Sequence, residues 1–418
     1  MSDIELEHVV VVGASLAGLR ACETLRTDGY TGRISLVGAE AEMPYDRPPL
    51  SKKLLAGDWE PDRIRLRKDA DVLALGIDLR LGSAASFLDI ADRTLTLADG
   101  SDVPYDGLVL ATGAVPRRLP GQPDLDGVTE LRTLADSLAL RARLQHGSVD
   151  GTPVRVTVIG AGFIGLEVAA TARQLGADVT VLEGAPAPLI RGLGPEMGGA
   201  VASVHARNGV PVRCGVQVVG IEGDGTRVTG VRLGDDEVVA SDVVVVGIGV
   251  APATEWLESS GLTLADGVVC DASLWTGTDL VFAAGDCARW HNRLFDPHDD
   301  AVMRVEHWTN AAEQGAAAAS NLLRMSRGEE PVPYEAVPFF WSDQFDSRIQ
   351  FLGRAHGGDD VQVIAGNAGG PFAAMYGWEG RLRGVLGVSM PKIVMPFRRL
   401  LAARASWDEA LAHVAALG

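Results

Sequence analysis

Residues Val9–Gly18 read VVVVGASLAG. Four β-branched residues in succession form the run of a strand buried on both faces. The glycines at 13 and 18 then mark a strand–turn–helix junction. The stretch differs at one position from a G-x-G-x-x-G dinucleotide fingerprint, because Ser15 stands where the middle glycine belongs. A serine adds only a small Cβ substituent, and its hydroxyl can itself donate to a phosphate oxygen. Gly13, Ser15, Leu16, Ala17 and Gly18 therefore make a candidate phosphate-binding turn. Taken alone, the stretch reads equally as a packing turn.

A second copy changes that reading. VRVTVIGAGFIGLEVAATARQLGADVTVLE (Val154–Glu183) repeats the strand, glycine turn, helix, strand and acid of residues His8–Glu40. Gly160, Gly162 and Gly165 complete the fingerprint, with Phe163 and Ile164 opening the helix. The first glycine makes the tight turn, the second admits a pyrophosphate, and the third lets helix and strand pack closely. Glu183 closes the next strand 18 residues past Gly165. A carboxylate there accepts hydrogen bonds from an adenosine ribose and repels a 2′-phosphate, which favours NADH over NADPH. Gly184, Ala185 and Pro186 supply no cation, and Arg191 is the one nearby base. Ile248 and Gly249, in VVVVGIGVAP (Val243–Pro252), join this nicotinamide-nucleotide set.

Two such repeats imply two nucleotide sites. In the first, Ala39 and Glu40 end the second strand, where a ribose-binding acid belongs. Asp286 ends a later strand in DLVFAAGDCA, where an acid can hold a polyol chain. The alternation of strand and helix patterns over the first three hundred residues predicts doubly wound α/β domains. From about residue 325 the composition shifts to aromatics and β-formers, which predicts a C-terminal α+β domain.

Charge and cysteine usage narrow the function further. Thirty-seven basic against 55 acidic residues give a net charge of −18, which argues against a nucleic-acid partner. Two basic islands interrupt this acidity: Arg63, Arg65, Arg67 and Lys68, and then Arg381, Arg383, Lys392, Arg398, Arg399 and Arg404. They are candidate docking patches for an acidic protein, or solvated faces. Cys22, Cys214, Cys270 and Cys287 include no CxxC pair and are expected to be unreactive. His291, His298, His307 and His356 lack ligand spacing, so no metal site is expected, and the polar stretch His291–Asp300 reads as a surface loop. No apolar run is long enough to span a membrane, and the acidic start (MSDIELE) lacks the basic region of a signal peptide, so a cytoplasmic location is expected. Asn310 with Glu313 resembles a capping box, placing a helix start after EHWT.

Seven motifs then occur in a telling order: PYDRPPLSKKLL (44–55), LVLATGAVPR (108–117), LRTLAD (131–136), GAGFIGLEVAA, FAAGDCAR, RVEHWTNAAEQG (304–315) and FFWSDQF (339–345). Over essentially the whole chain they resemble the FAD-containing, NADH-dependent ferredoxin reductases of bacterial oxygenase systems, the putidaredoxin reductase type. The resemblance implies a glutathione-reductase-like architecture: an FAD-binding domain from residues 1–117 and 248–324, an NADH-binding domain from 118–247, and a C-terminal domain from 325–418. It implies that the Gly13–Gly18 turn holds the FAD pyrophosphate, with Ala39 and Glu40 at its ribose and Ala85 at its adenine. Arg47, Pro48, Ala111, Thr112, Gly113, Arg132 and His307 join the FAD set, Asp286 holds the ribityl chain, and Trp308 lies at the pyrimidine edge. Lys52 is placed beside flavin N5 and paired with Glu167, the two candidate catalytic residues. An iron–sulfur ferredoxin is the implied acceptor, near Arg65, Arg67, Arg398 and Arg399.

Three other readings compete. A flavin disulfide or peroxide reductase would need a redox cysteine near the flavin, and residues 39–53 contain none. A rubredoxin reductase would differ only in its acceptor. An apoptosis-inducing-factor-like FAD/NADH-binding protein shares the lysine–glutamate pairing but not the compact C-terminal part.

Overall fold

Alternation of valine runs and alanine-rich segments produces two parallel nuclei of the same design. The computed structural model describes residues 5–146, 151–296, 301–367 and 369–417; His298 lies outside them. In the first nucleus β1 (His8–Val12) leads through the Ser15 turn into α1 (Leu16–Thr27) and back to β2 (Arg33–Val37). In the second, β3 (Arg155–Ile159) leads into α2 (Phe163–Gln174) and β4 (Asp178–Glu183). The registers correspond: His8 pairs with Arg33, and Arg155 with Asp178, each in parallel.

The echo continues beyond the two motifs. Each nucleus is followed by a three-stranded antiparallel meander, residues 85–104 in one and 218–240 in the other. A buried strand then returns beside β1 (Gly107–Leu110) or beside β3 (Val243–Val246). Both sheets reach five parallel strands.

The chain forms two compact units. The first comprises Met1–Asp46, Ile64–Val115 and Ala251–Pro338. Its core runs from Val9–Val12 through Leu108–Leu110 to Phe282 and Trp290, all shielded from solvent. The long helix α3 (Trp308–Ser326) crosses α1 so closely that a Cβ on Gly315 would overlap the carbonyl oxygen of Ala17. The second unit comprises Arg47–Arg63, Pro116–Val250 and Phe339–Gly418. Its carboxy-terminal part is a five-stranded antiparallel sheet, one of whose two edge strands is β5 (Phe339–Gln344).

Strand β5 lies along α2. Phe340, Ser342 and Gln344 alternate onto one face, matching the helical spacing of Phe163 and Glu167. Phe340 packs on Phe163 with ring centroids 4.6 Å apart, and Ser342 meets Glu167. Because α2 is clad by the sheet on one side and β5 on the other, its residues 165–172 are all buried. Small side chains (Ala169, Ala170, Ala172) make that double contact possible. The buried Tyr376 ties the same sheet to the Ile190–Arg207 helix by donating to the Leu193 carbonyl at 2.8 Å.

The helix start differs from the capping-box expectation. Helix α3 begins at Trp308 with His307 as its N-cap. The Asn310 side chain turns back to donate to the Val305 carbonyl at 3.1 Å, and Glu313 accepts from the Tyr334 hydroxyl at 3.0 Å. Asn310 is taken by a carbonyl just upstream and Glu313 by a tertiary hydroxyl, and the N-cap lies three residues earlier, at 307 instead of 310.

Candidate dinucleotide sites and a buried ion pair

The two glycine turns use their glycines in the same way. Gly13 (φ +119°) and Gly160 (φ +102°) sit in the left-handed region that favours glycine. A Cβ on Gly13 would overlap the Ala111 carbonyl oxygen, and one on Gly160 the Gly247 carbonyl oxygen. The third glycines press on the turn itself: a Cβ on Gly18 would overlap the Gly13 oxygen, and one on Gly165 the Gly160 oxygen.

The middle position is different. Gly162 is extended (φ −78°, ψ 176°), and its nearest neighbour to an added Cβ is 4.0 Å away. Ser15 occupies the equivalent position with extended backbone of its own (φ −121°, ψ −158°). Serine therefore fits without strain, where a Cβ at the outer glycines does not. Its hydroxyl makes no cap bond to α1. Neither α1 nor α2 carries a side-chain cap or an acid in its first turn. Their N–H groups and partial positive charge are left facing the turn, which suits a bound pyrophosphate. Both turns fit dinucleotides.

In the first unit, Glu40 accepts a short hydrogen bond from the Tyr45 hydroxyl. Asp286 follows Gly285 (φ +75°) in a one-turn helix, and its carbonyl accepts from Arg304 at 3.1 Å. Thr112 donates to the Ala253 carbonyl at 2.8 Å, so the LATG segment is tied to the stretch where the chain re-enters this unit. Ala85 opens the first meander. Trp308 Nε1 donates to Asp46 at 2.6 Å, and burial lowers the adjoining His307 to about 4, keeping that ring neutral.

In the second unit, both oxygens of Glu183 are engaged by main-chain N–H groups, one from the glycine turn and one from the segment just after Glu183 itself. Oε2 accepts from the Ala161 N–H at 2.7 Å and Oε1 from the Ala185 N–H at 2.8 Å. The acid thus props the phosphate turn from behind, while each oxygen keeps a second lone pair for a hydroxyl. Arg191 is exposed, and Gly249 (φ +101°) accepts from the Arg117 N–H through its carbonyl. Sequence reasoning missed Gly247. Its signal was the glycine that follows the valine run at Val243–Val246.

Lys52 and Glu167 meet in the same unit. Lys52 Nζ lies 2.7 Å from Glu167 Oε2, with side chains only 16% and 6% exposed. Ser51 donates to the same carboxylate oxygen at 2.5 Å. Three more bonds clasp this loop: Thr171 donates to the Ser51 carbonyl at 2.8 Å, Ser137 to the Leu50 carbonyl at 2.7 Å, and Arg47 to the Arg132 carbonyl at 2.6 Å. Asp136 fixes Arg132 in turn by accepting its N–H at 3.0 Å. A buried ion pair is tolerated only when well hydrogen-bonded, and this one is.

The thiols contribute no redox pair. Cys22, Cys270 and Cys287 are buried and free, and burial pushes Cys22 up to about 12. No cluster of metal-ligating side chains occurs among the described residues, and no helix there is long and apolar enough to cross a membrane. The basic islands are partly used up. Arg67 pairs with Glu23 at 2.6 Å, and Arg63 stacks on Trp59. Arg383 is no surface docking residue: it is 3% exposed, over the ring of Trp378.

Two parallel-sheet nuclei with bare-ended glycine turns, and a buried lysine–carboxylate pair, define a two-nucleotide oxidoreductase. The chain belongs to the pyridine nucleotide-disulphide oxidoreductase family, whose signature matches residues 7–315, and carries a Reductase C-terminal domain over residues 339–416. It is 39% identical over 404 residues to the anthranilate 1,2-dioxygenase system ferredoxin–NAD(+) reductase component of Burkholderia cepacia, covering 96% of this chain and 95% of that one. It is 37% identical over 398 residues to a ferredoxin–NAD(P)(+) reductase of a Sphingomonas species, covering 95% and 93%. The covalent putidaredoxin reductase–putidaredoxin complex superposes with a TM-score of 0.88 at 34% identity, over 95% of this chain and 93% of that one. These likenesses agree with the resemblance carried by the seven motifs.

Proposed function

We propose that the chain is the flavoprotein reductase of a bacterial oxygenase system, taking a hydride from NADH and delivering single electrons to an iron–sulfur ferredoxin. The observation that carries this reading is the pairing of two dinucleotide turns with the buried Lys52–Glu167 contact, in a chain matched end to end by ferredoxin reductases. Bound FAD supplies the exchange between two-electron and one-electron chemistry.

The protein's residues supply binding and electrostatics. The Gly13–Gly18 turn takes the FAD pyrophosphate on the α1 N-terminus, Glu40 the adenosine ribose, and Asp286 the ribityl chain. The Gly160–Gly165 turn takes NADH, and Glu183 disfavours a 2′-phosphate. Lys52 is the cation assigned to the flavin N5 edge, where it favours the electron-rich reduced ring, and Glu167 holds it in place. Neutral His307 adds no charge beside Trp308, which is assigned to the pyrimidine edge. The exposed Arg399 and its neighbour Arg398 form one docking candidate, and Arg65 with Arg67 the other, where Arg67 also pairs with Glu23. The protein works in the cytoplasm.

Reconstitution tests this reading. NADH-driven cytochrome c reduction is expected to be fast only when a ferredoxin is added. Equal rates without any ferredoxin would overturn it, and preference for rubredoxin would reassign the acceptor. Reversing Arg398 and Arg399 to glutamate is expected to raise the apparent KM for ferredoxin, most strongly at low salt.

A further inference from the structure

We propose that Ser342, Gln344 and His205 are positioning residues for the Lys52–Glu167 pair, through a buried donor chain that ends on the carboxylate. The proposal rests on the reading of Lys52 as the redox-site cation.

The links are short and dry. His205 Nε2 lies 2.9 Å from Gln344 Oε1, Gln344 Nε2 donates to Ser342 Oγ at 3.1 Å, and Ser342 Oγ donates to Glu167 Oε1 at 2.7 Å. His205, Ser342 and Gln344 are all 0% exposed. The direction of every link follows from the chemistry of the groups. An ionised carboxylate only accepts, so Ser342 gives it its single proton. The Ser342 lone pair must then accept, which turns the Gln344 amide so that its N–H group faces Ser342. The amide oxygen is left facing His205, and it too only accepts. The His205 proton therefore sits on Nε2.

Burial lowers the His205 pKa and keeps the ring neutral with one proton. Nδ1 has no hydrogen-bond partner among the described residues. The ring is held edge-on against Phe345, with centroids 5.3 Å apart.

This chain saturates Glu167 Oε1 from the side of β5. Oε2 is left to Ser51 and Lys52. Without the Ser342 proton only Ser51 and Lys52, both on Oε2, hold the carboxylate, so the ammonium's partner is less firmly fixed. A strand of the carboxy-terminal sheet, remote in sequence from both fingerprints, thus sets the position of the cation. Polar chains in a low-dielectric interior reinforce one another link by link, so the effect is expected to extend to Gln344.

The test uses the FAD-loaded enzyme, with Ser342→Ala, Ser342→Thr, Gln344→Leu and Lys52→Met compared at equal flavin content and with melting temperature recorded. Brief acetylation with acetic anhydride, quantified by mass spectrometry, reads the pair directly, and the exposed Lys392 serves as internal reference. Losing a fixed opposite charge favours the neutral, reactive amine, so Ser342→Ala is expected to raise Lys52 labelling by about fivefold. Gln344→Leu should raise it less, and Ser342→Thr, which keeps the hydroxyl, should restore it. The flavin midpoint potential should move negative in Ser342→Ala, in the direction of Lys52→Met and by a smaller amount.

Unchanged Lys52 labelling in a folded, flavin-loaded Ser342→Ala enzyme overturns the proposal. So does a potential that moves in Lys52→Met but not in Ser342→Ala. Raised labelling with no potential change in either variant keeps the positioning chain and instead removes Lys52 from the redox site.

Discussion

The Thr171 hydroxyl donates to the Ser51 carbonyl one helical turn beyond Glu167, so a single face of α2 grips both the main chain and the side chains of the PPLSK loop. Thr171→Val keeps the shape and removes the donor, leaving a buried carbonyl unsatisfied. The expected loss is about 1–3 kcal/mol in urea unfolding of the FAD-loaded protein. Flavin reduction by NADH should slow as well, because Lys52 hangs from the same loop.

The contrast between inner and outer glycines gives a second prediction. Gly162→Ser copies the arrangement at Ser15, has no protein atom closer than 4.0 Å to the new Cβ, and offers a hydroxyl to the pyrophosphate, so the KM for NADH should stay within roughly threefold. Gly165→Ala drives a Cβ into the Gly160 carbonyl, and overpacking of about 1–3 kcal/mol should raise that KM by roughly tenfold or more. Steady-state kinetics on the two variants checks both.

Glu183 has two duties, and they separate by substitution. Glu183→Gln keeps one acceptor oxygen but turns an NH2 group toward the other of the two N–H donors, so it should loosen one of the two bonds. Glu183→Ala removes the repulsion of a 2′-phosphate together with both props. The ratio of kcat/KM for NADH to that for NADPH is expected to fall by about tenfold in Glu183→Ala.

Acid should find His307. Burial lowers its pKa from the ordinary 6.5 to about 4. Between those values the unfolded chain binds a proton that the folded one refuses, so stability falls as pH drops from 6.5 to 4 and is steady below that. A shift of this size is worth about 3 kcal/mol. Urea midpoints measured at pH 7.5 and pH 4.5 should converge in His307→Gln relative to the parent, since glutamine does not titrate.

The parallel nuclei were legible because their signals are local. Valine runs, glycines at fixed offsets and a closing acid all fall within about thirty residues, and the backbone needs of Gly13 and Gly160 are met inside that window. The Lys52–Glu167 contact was reached through resemblance rather than spacing, and its supports were not reached at all. Glu167 meets Ser51 across 116 positions and Ser342 across 175, while His205 meets Gln344 across 139. No periodicity encodes contacts at such separations. Asn310 shows the same limit at short range: its sequence context offered a cap, and a carbonyl five residues back won its side chain. Arg383 looked like part of a basic patch, but its side chain is buried over the Trp378 ring, which the charge pattern along the chain does not show.

The clasp on residues Arg47–Arg63 bears on how far this protein can be taken apart. That segment belongs by chain order to the first nucleus, yet its hydrogen bonds run to Arg132, Ser137, Glu167 and Thr171. A fragment spanning only Pro116–Val250 would retain a whole glycine fingerprint. It would nonetheless leave the carboxylate of Glu167 with neither its ammonium nor its two serine hydroxyls, and would uncover the face of α2 that β5 clads. The nicotinamide-nucleotide half is therefore no cassette that can be moved alone between scaffolds. Any chimera that transplants it has to carry residues 47–63 and the edge strand 339–344 along with it.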